Sequence, residues 1–221
     1  MVRMTTWRRA AAVALVAVAG STMFAAPAFA ETYSAPLRTA IGELPVATEV
    51  RTGYNRDLFT HWIDADGDGC NTRYEVLIIE AVTEPTVGSG CSLAGGRWYS
   101  YYDNEYWTLP ADLDIDHFVP LAEAWDSGAR LWTSAQRKSY ANDLGDSRTL
   151  AAVTDNQNQT KGDQDPATWM PPYAAATCRY LGEWVAAKLR WRLTVDTAEK
   201  TALVSAADGC SNVTITVTRA I

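Results

Sequence analysis

The chain contains two histidines, and one of them, His117, follows an acid directly in Ile115-Asp116-His117-Phe118-Val119-Pro120. A neutral imidazole accepts a proton near neutral pH, so His117 is a candidate general base for activating water. On composition alone a structural histidine is the commoner case; its company favours chemistry. Asp116 offers a hard anionic oxygen, and Asn158, 41 residues after His117, offers a neutral amide oxygen. One carboxylate, one amide and several waters would hold Mg²⁺ or Mn²⁺ loosely enough for the ion to grip a substrate phosphate while His117 draws a proton from water. Lys161 lies three residues beyond Asn158 and is a candidate contact to the phosphate or the transition state, with an ordinary solvated lysine as the alternative.

A second constellation is Asp64, Asp66 and Asp68, then Gly69, then Glu75 at the twelfth position counted from Asp64. This is the spacing of an EF-hand calcium loop, in which packed carboxylates need a cation to offset their repulsion. An Asp/Gly-rich turn capping a helix is the competing reading. Arg56, ahead of this loop, and Arg73, within it, are candidates for binding substrate phosphate. The other histidine, His61, reads as structural. The aromatics Trp98, Tyr99, Tyr101, Tyr102, Tyr106 and Trp107 read as core and cross-strand pairs in preference to base-stacking residues.

These residues need elements to hold them. Alternating β-branched and apolar residues predict a strand over 113–119 ending at Pro120, with the helix LAEAW after it. Neighbours on a regular strand face opposite ways, so Asp116 and His117 converge only if the strand ends or bulges there. Thr133 to Gln136 matches a capping box for a helix closed by Gly145, and 148–154 suits a second strand followed by a polar segment containing Asn158. Helical spacing predicts helices over 54–62, 74–82, 177–193 and 197–207; residues 97–107 read as a hairpin, and NVTITVT as a terminal strand. Residues 31–50 read as an irregular lead-in that ends in a short helix or extended arm.

DIDHFVPLAEAWDSGA, with NDLGDSRTLAAVTDNQNQTKGDQDPATW after it, resembles the secreted bacterial HNH endonucleases that share the C-terminal nuclease domain of GmrSD-type restriction enzymes. The resemblance spans about residues 54–210. It implies an α+β fold, a mostly helical domain enclosing a ββα-metal finger over 113–163, with short antiparallel strands. It further implies His117 as general base, Asp116 as the first metal ligand and Asn158 as the last, a set that favours Mg²⁺ or Mn²⁺ over zinc. Where many such enzymes carry an Asn before a Leu to steady the histidine ring, this chain has Thr149-Leu150. Asn156 or a backbone carbonyl must then orient His117.

The first 30 residues carry Arg3, Arg8 and Arg9, an apolar run, and Ala28-Phe29-Ala30, which together read as a secretory signal peptide cut after Ala30. Residues 31–221 are then expected to form a single secreted domain, monomeric and free of the membrane. Of the 19 Lys+Arg and 26 Asp+Glu, cleavage removes three arginines and no acids, leaving a formal charge of −10. Such a surface does not attract nucleic acid by bulk electrostatics, although a bound cation supplies a local positive field. Cys70, Cys91, Cys178 and Cys210 suggest two disulfides; Cys70–Cys91 and Cys178–Cys210 are favoured because each closes a short loop, and the other pairings stay open. The expected activity is metal-dependent hydrolysis of phosphodiester bonds in DNA, with RNA as a second substrate, and little sequence specificity. The alternatives are a secreted glycoside hydrolase using paired acids such as Asp114 and Asp116, or a noncatalytic calcium-dependent binding module.

Overall fold

A computed structural model describes residues 31–221; the expected signal peptide lies outside the described residues. The chain runs through β1 (Thr32–Pro36), α1 (Leu37–Glu43), α2 (Thr72–Ile79), β2 (Thr86–Val87), β3 (Leu93–Ala94), β4 (Trp98–Ser100), β5 (Glu105–Trp107) and β6 (Leu113–His117). It continues through α3 (Leu121–Asp126), α4 (Ser134–Ala141), β7 (Leu150–Thr154), α5 (Asp155–Lys161), α6 (Thr177–Arg190), α7 (Thr197–Ala207) and β8 (Thr214–Thr218). The strands form four two-stranded antiparallel ladders, β1 with β8, β2 with β3, β4 with β5 and β6 with β7. The result is a mostly helical α+β arrangement with short antiparallel strands and two disulfides. No helix among the described residues is long and apolar enough to cross a membrane.

The larger core cluster gathers Leu37 and Ile41 of α1, Leu181, Trp184 and Val185 of α6, Leu203 of α7, and Ile215 and Val217 of β8. A smaller one lies between α2 and the β6–β7 ladder, built from Val76, Leu77, Leu113, Ile115, Leu150 and Ala152 under Trp98. Strand periodicity divides β6 between two faces. Leu113 and Ile115 are spent on this apolar cluster, so Asp114 and Asp116 project to the opposite face, where α5 packs. The hairpin aromatics pair across β4 and β5, Trp98 opposite Trp107 and Tyr99 opposite Tyr106.

Both favoured disulfides form. Cys70–Cys91, with Cα atoms 5.1 Å apart, ties the acidic loop to the β2–β3 turn, and Cys178–Cys210, at 5.5 Å, ties the start of α6 to the residues after α7.

Four segments depart from the sequence reading. Residues 54–62 form only a 3₁₀ turn at Arg56–Leu58, because Leu58 and Phe59 do not share an inward face: Phe59 is fully buried while Leu58 is 38% exposed. The capping box at Thr133 is present, but α4 stops at Ala141 well before Gly145, where the Asn142 side chain donates to Lys138 O and Thr60 O. The polar segment after β7 is the helix α5, and the irregular lead-in supplies β1, which pairs with the predicted terminal strand.

Candidate active site

Asp116 lies on the α5 side of β6 and is 4% exposed. Lys161, at the end of α5 and fully buried, donates to both Asp116 oxygens at 2.7 Å and to the His117 backbone oxygen at 2.9 Å. Tyr102 donates its hydroxyl to Asp116 Oδ2 at 2.5 Å. Burial raises the Asp116 carboxyl and lowers the Lys161 ammonium from their ordinary values, and the attraction within the pair opposes both shifts. One pitch along the same two elements, Asn158 Nδ2 donates to Asp114 Oδ2 at 3.1 Å, which leaves the Asn158 amide oxygen for another partner.

His117 leaves the other side of the strand. Its Nε2 lies 3.0 Å from the Ala141 carbonyl oxygen. A carbonyl only accepts, so Nε2 carries the proton and Nδ1 the lone pair. Ala141 is the last residue of α4, whose carbonyl has no partner within the helix, so a helix end holds the imidazole. Thr149 takes no part: its hydroxyl is 2.7 Å from the carbonyl oxygens of Asp143 and Asp146. The ring sits between Tyr140, at 6.2 Å between centroids, and Trp62, at 5.6 Å. Trp62 holds this place with φ of 56°, a left-handed conformation uncommon for a bulky residue. Burial pulls the His117 pKa down to about 3, and the nearby Arg56, His61 and Lys161 charges act in the same direction.

The strand runs in register to His117, which pairs with Leu150, and ends there, two residues short of the expected end at Val119. Asp116 and His117 border one cavity of about 200 Å³, because His117 is the last strand residue and the cavity lies at that end. Asn158, Arg56, Gly162 and Asp163 complete its lining. Arg73 is not brought there; its Nη2 donates to the carbonyls of Pro110 and Leu113, at 3.1 and 2.8 Å, and so braces the start of β6. Nor is Lys161 free for a phosphate, since all three of its protons are already directed at acceptors. Asp163 is paired with Arg51 at 3.1 Å. The remaining oxygens suit a hard divalent cation: Asp116 Oδ1 keeps one acceptor position after Lys161, and the Asn158 amide oxygen lies on the same cavity.

Sequence reasoning missed Asp114 and Tyr102 as partners in this arrangement. The signal for Asp114 was available as matched spacing, two acids at strand period facing Asn158 and Lys161 at helical period.

Residues 80–206 match the family described as GmrSD restriction endonucleases, C-terminal domain, which is more than half of the chain. The chain belongs to this family. A protein of Arthroderma benhamiae, named only as an uncharacterized secreted protein, is 48% identical to it over 158 residues, covering 72% of this chain and 76% of that protein. No solved structure matches the chain. Like that relative, this GmrSD C-terminal-domain protein is secreted, which its two disulfides suit.

The acidic loop lies ahead of the matched residues. Carboxylate oxygens of Asp64, Asp66 and Asp68 come within 4.8 Å of one another, all three residues being exposed. Gly69, with φ of 95°, turns the chain at the sixth position so that its amide donates to Asp64 Oδ2 at 3.0 Å. Glu75 enters from the first turn of α2, and its carboxyl is pushed up by burial and then by Asp66, Asp68 and Asp64. Its Oε2 is buried and has no hydrogen-bond partner among the described residues. The helix expected before the loop is absent, so only the loop and the second helix of an EF-hand are present.

Proposed function

We propose that this protein is a secreted, metal-dependent HNH endonuclease that hydrolyses phosphodiester bonds of DNA, and of RNA as a second substrate, with little sequence specificity. The observation that carries the reading is the pose of His117: the Ala141 carbonyl fixes Nε2 as the protonated nitrogen, leaving Nδ1 as the proton acceptor of a residue that borders a cavity with Asp116 and Asn158. Strand β6, strand β7 and helix α5 supply these residues in the order of a ββα-metal finger, which supports the same reading.

Asp116 and Asn158 would hold Mg²⁺ or Mn²⁺, which when bound supplies positive charge to the scissile phosphate. His117 Nδ1 accepts the proton of the attacking water, and the Ala141 carbonyl stabilises the imidazolium that results. The His117 pKa of about 3 belongs to the buried ring without substrate, and the negative charge of an incoming phosphate raises it toward a working range. Arg56, on the cavity wall, binds and orients the phosphate. Lys161 acts through Asp116, keeping it ionised and fixing both of its oxygens. Contacts of this kind are made to the backbone and carry no sequence information, which is why little specificity is expected.

Calcium in the acidic loop is the companion proposal. Asp64, Asp66, Asp68 and Glu75 would ligate it with the Cys70 backbone carbonyl, and the unpartnered Glu75 Oε2 favours this over a plain helix-capping turn. The glycosidase reading is supported less, because Asp114 is engaged by Asn158 and the reading gives the posed His117 no role.

The test is degradation of plasmid DNA and of RNA by the purified protein with and without EDTA, beside His117→Ala. EDTA is expected to abolish activity, and the variant to lose about 100- to 10,000-fold with an unchanged circular dichroism spectrum. Undiminished cleavage by His117→Ala sinks the proposal.

A further inference from the structure

A second gathering of acids lies off the active-site cavity, and none of its members lines that cavity. Glu49 sits on the extended segment after α1, which is anchored by Ala47 N donating to Val195 O and Val195 N to Pro45 O, both at 2.9 Å. Glu123 and Asp126 are one helical turn apart on α3 and so share a face. One carboxylate oxygen from each of Glu49, Glu123 and Asp126 lies within 4.8 Å of the other two, and Glu49 stands in the same relation to Asp165 and Glu199.

Charge does not balance here. Among the described residues, Lys188 serves Glu123 Oε1 at 2.6 Å and Glu199 Oε2 at 3.1 Å, and Arg51 serves Asp126 Oδ2 at 2.7 Å while also bonding Asp163. Two cationic side chains therefore face five carboxylates. At a separation within 4.8 Å, Glu49 and Glu123 repel one another unless a proton or a cation offsets their charge. An independent observation points to the cation. Asp126 is only 3% exposed, yet its Oδ1 is buried with no hydrogen-bond partner among the described residues. A buried carboxylate oxygen left bare costs roughly 1–3 kcal/mol or more, so an ion there removes a real penalty.

We propose that Glu49, Glu123 and Asp126 form a calcium site that clamps the segment after α1 onto α3. The donors are all oxygen and anionic, which excludes a soft metal; they come from one helix and one extended segment, an array that suits the flexible coordination of calcium better than the strict octahedron of magnesium. Glu49 is solvent-exposed, so the ion has a path in. The site is separate from the nuclease reading and from the acidic loop.

Calorimetric titration of CaCl₂ into the chelator-treated protein, wild type against Glu49→Gln, tests it. Because Glu49 is exposed, the variant is expected to fold, and circular dichroism checks this. Glu49→Gln is expected to bind one Ca²⁺ fewer per chain than wild type, or to bind one with affinity weakened at least about tenfold, whatever the acidic loop contributes to both. Anomalous diffraction from crystals soaked in MnCl₂ is expected to give a peak bonded to Glu49, Glu123 and Asp126. Identical stoichiometry and affinity in the two proteins, or an ion-soaked crystal with metal only elsewhere, overturns the proposal in favour of a proton shared by Glu49 and Glu123.

Discussion

Lys161 has, like Lys188, an environment far from that usual for its type. A lysine with acidic and glycine neighbours in sequence reads as solvated, yet it is fully buried with its ammonium enclosed by Asp116 and the His117 carbonyl. Removing one partner of a buried pair leaves the other charge stranded, at about 3–5 kcal/mol. Lys161→Met is therefore expected to lower unfolding free energy by about that much in urea titration. Adding Asp116→Asn to Lys161→Met should recover much of the lost stability and none of the proposed nuclease activity; a double variant as unstable as the single would show that Lys161 contributes packing and not charge compensation. That Asp116, His117 and Asn158 would meet at one cavity was legible because their types are scarce or their spacing distinctive. A backbone carbonyl, named beside Asn156 as the group to orient His117, is what the structure has, but that Ala141 supplies it was not legible, because a backbone group leaves no mark on the sequence.

At the scale of elements, α5 shows why part of the site was hidden. Hydrophobic periodicity finds helices that bury an apolar face, whereas α5 turns Asn158 and Lys161 toward two acids, so its inward stripe is polar. Its end is legible in hindsight: Gly162 closes it with φ of 53° and ψ of −127°, a conformation that an L side chain adopts only under strain. Space is not the obstacle there, since an added Cβ would meet only Gln159 O at 3.7 Å. Gly162→Ala should accordingly cost about 1–3 kcal/mol in denaturant titration and reduce the proposed nuclease activity through the displaced end of α5, next to Lys161. Wild-type stability in this variant would mean that α5 has another way to end. Strand β6 was legible because Leu113 and Ile115 alternate with Asp114 and Asp116, and β7 as a short apolar run buried throughout, while the turn at 54–62 was misread because the apolar residues there point to different surroundings.

Across the whole molecule, buried titratable groups set opposing slopes on stability. Glu80 accepts a hydrogen bond from Ala152 N at 2.7 Å, and burial pushes its pKa up to about 7. A folded pKa raised above that of the unfolded chain contributes stability that is complete below the unfolded value, near 4.5, and is lost as pH rises through 7. His117, depressed to about 3, contributes in the other sense: its share is complete above about 6.5 and disappears as pH falls toward 3. Glu80→Gln should therefore flatten the loss of stability between pH 4.5 and 8, by about 2–3 kcal/mol, with little change in the acid limb. Melting temperatures across that range decide it, and a variant whose alkaline slope matches wild type would count against the assignment. Loop length favoured the observed disulfide pairing without excluding the others, but the partner of β1 was not legible, because nothing local in 32–36 announces a strand at 214–218.

That last ladder closes the described chain into a ring. Thr32 lies opposite Thr218, and the hydroxyls of Ser34 and Thr216 are 2.8 Å apart. Neither strand contributes to the cavity that holds His117. The ends could thus be spliced by a short linker and the chain reopened at another exposed loop, a circular permutant that begins and finishes elsewhere yet carries the same β6, β7 and α5 in the same order. The order of residues within 113–163 is what the site requires; where the ring is cut is incidental to it.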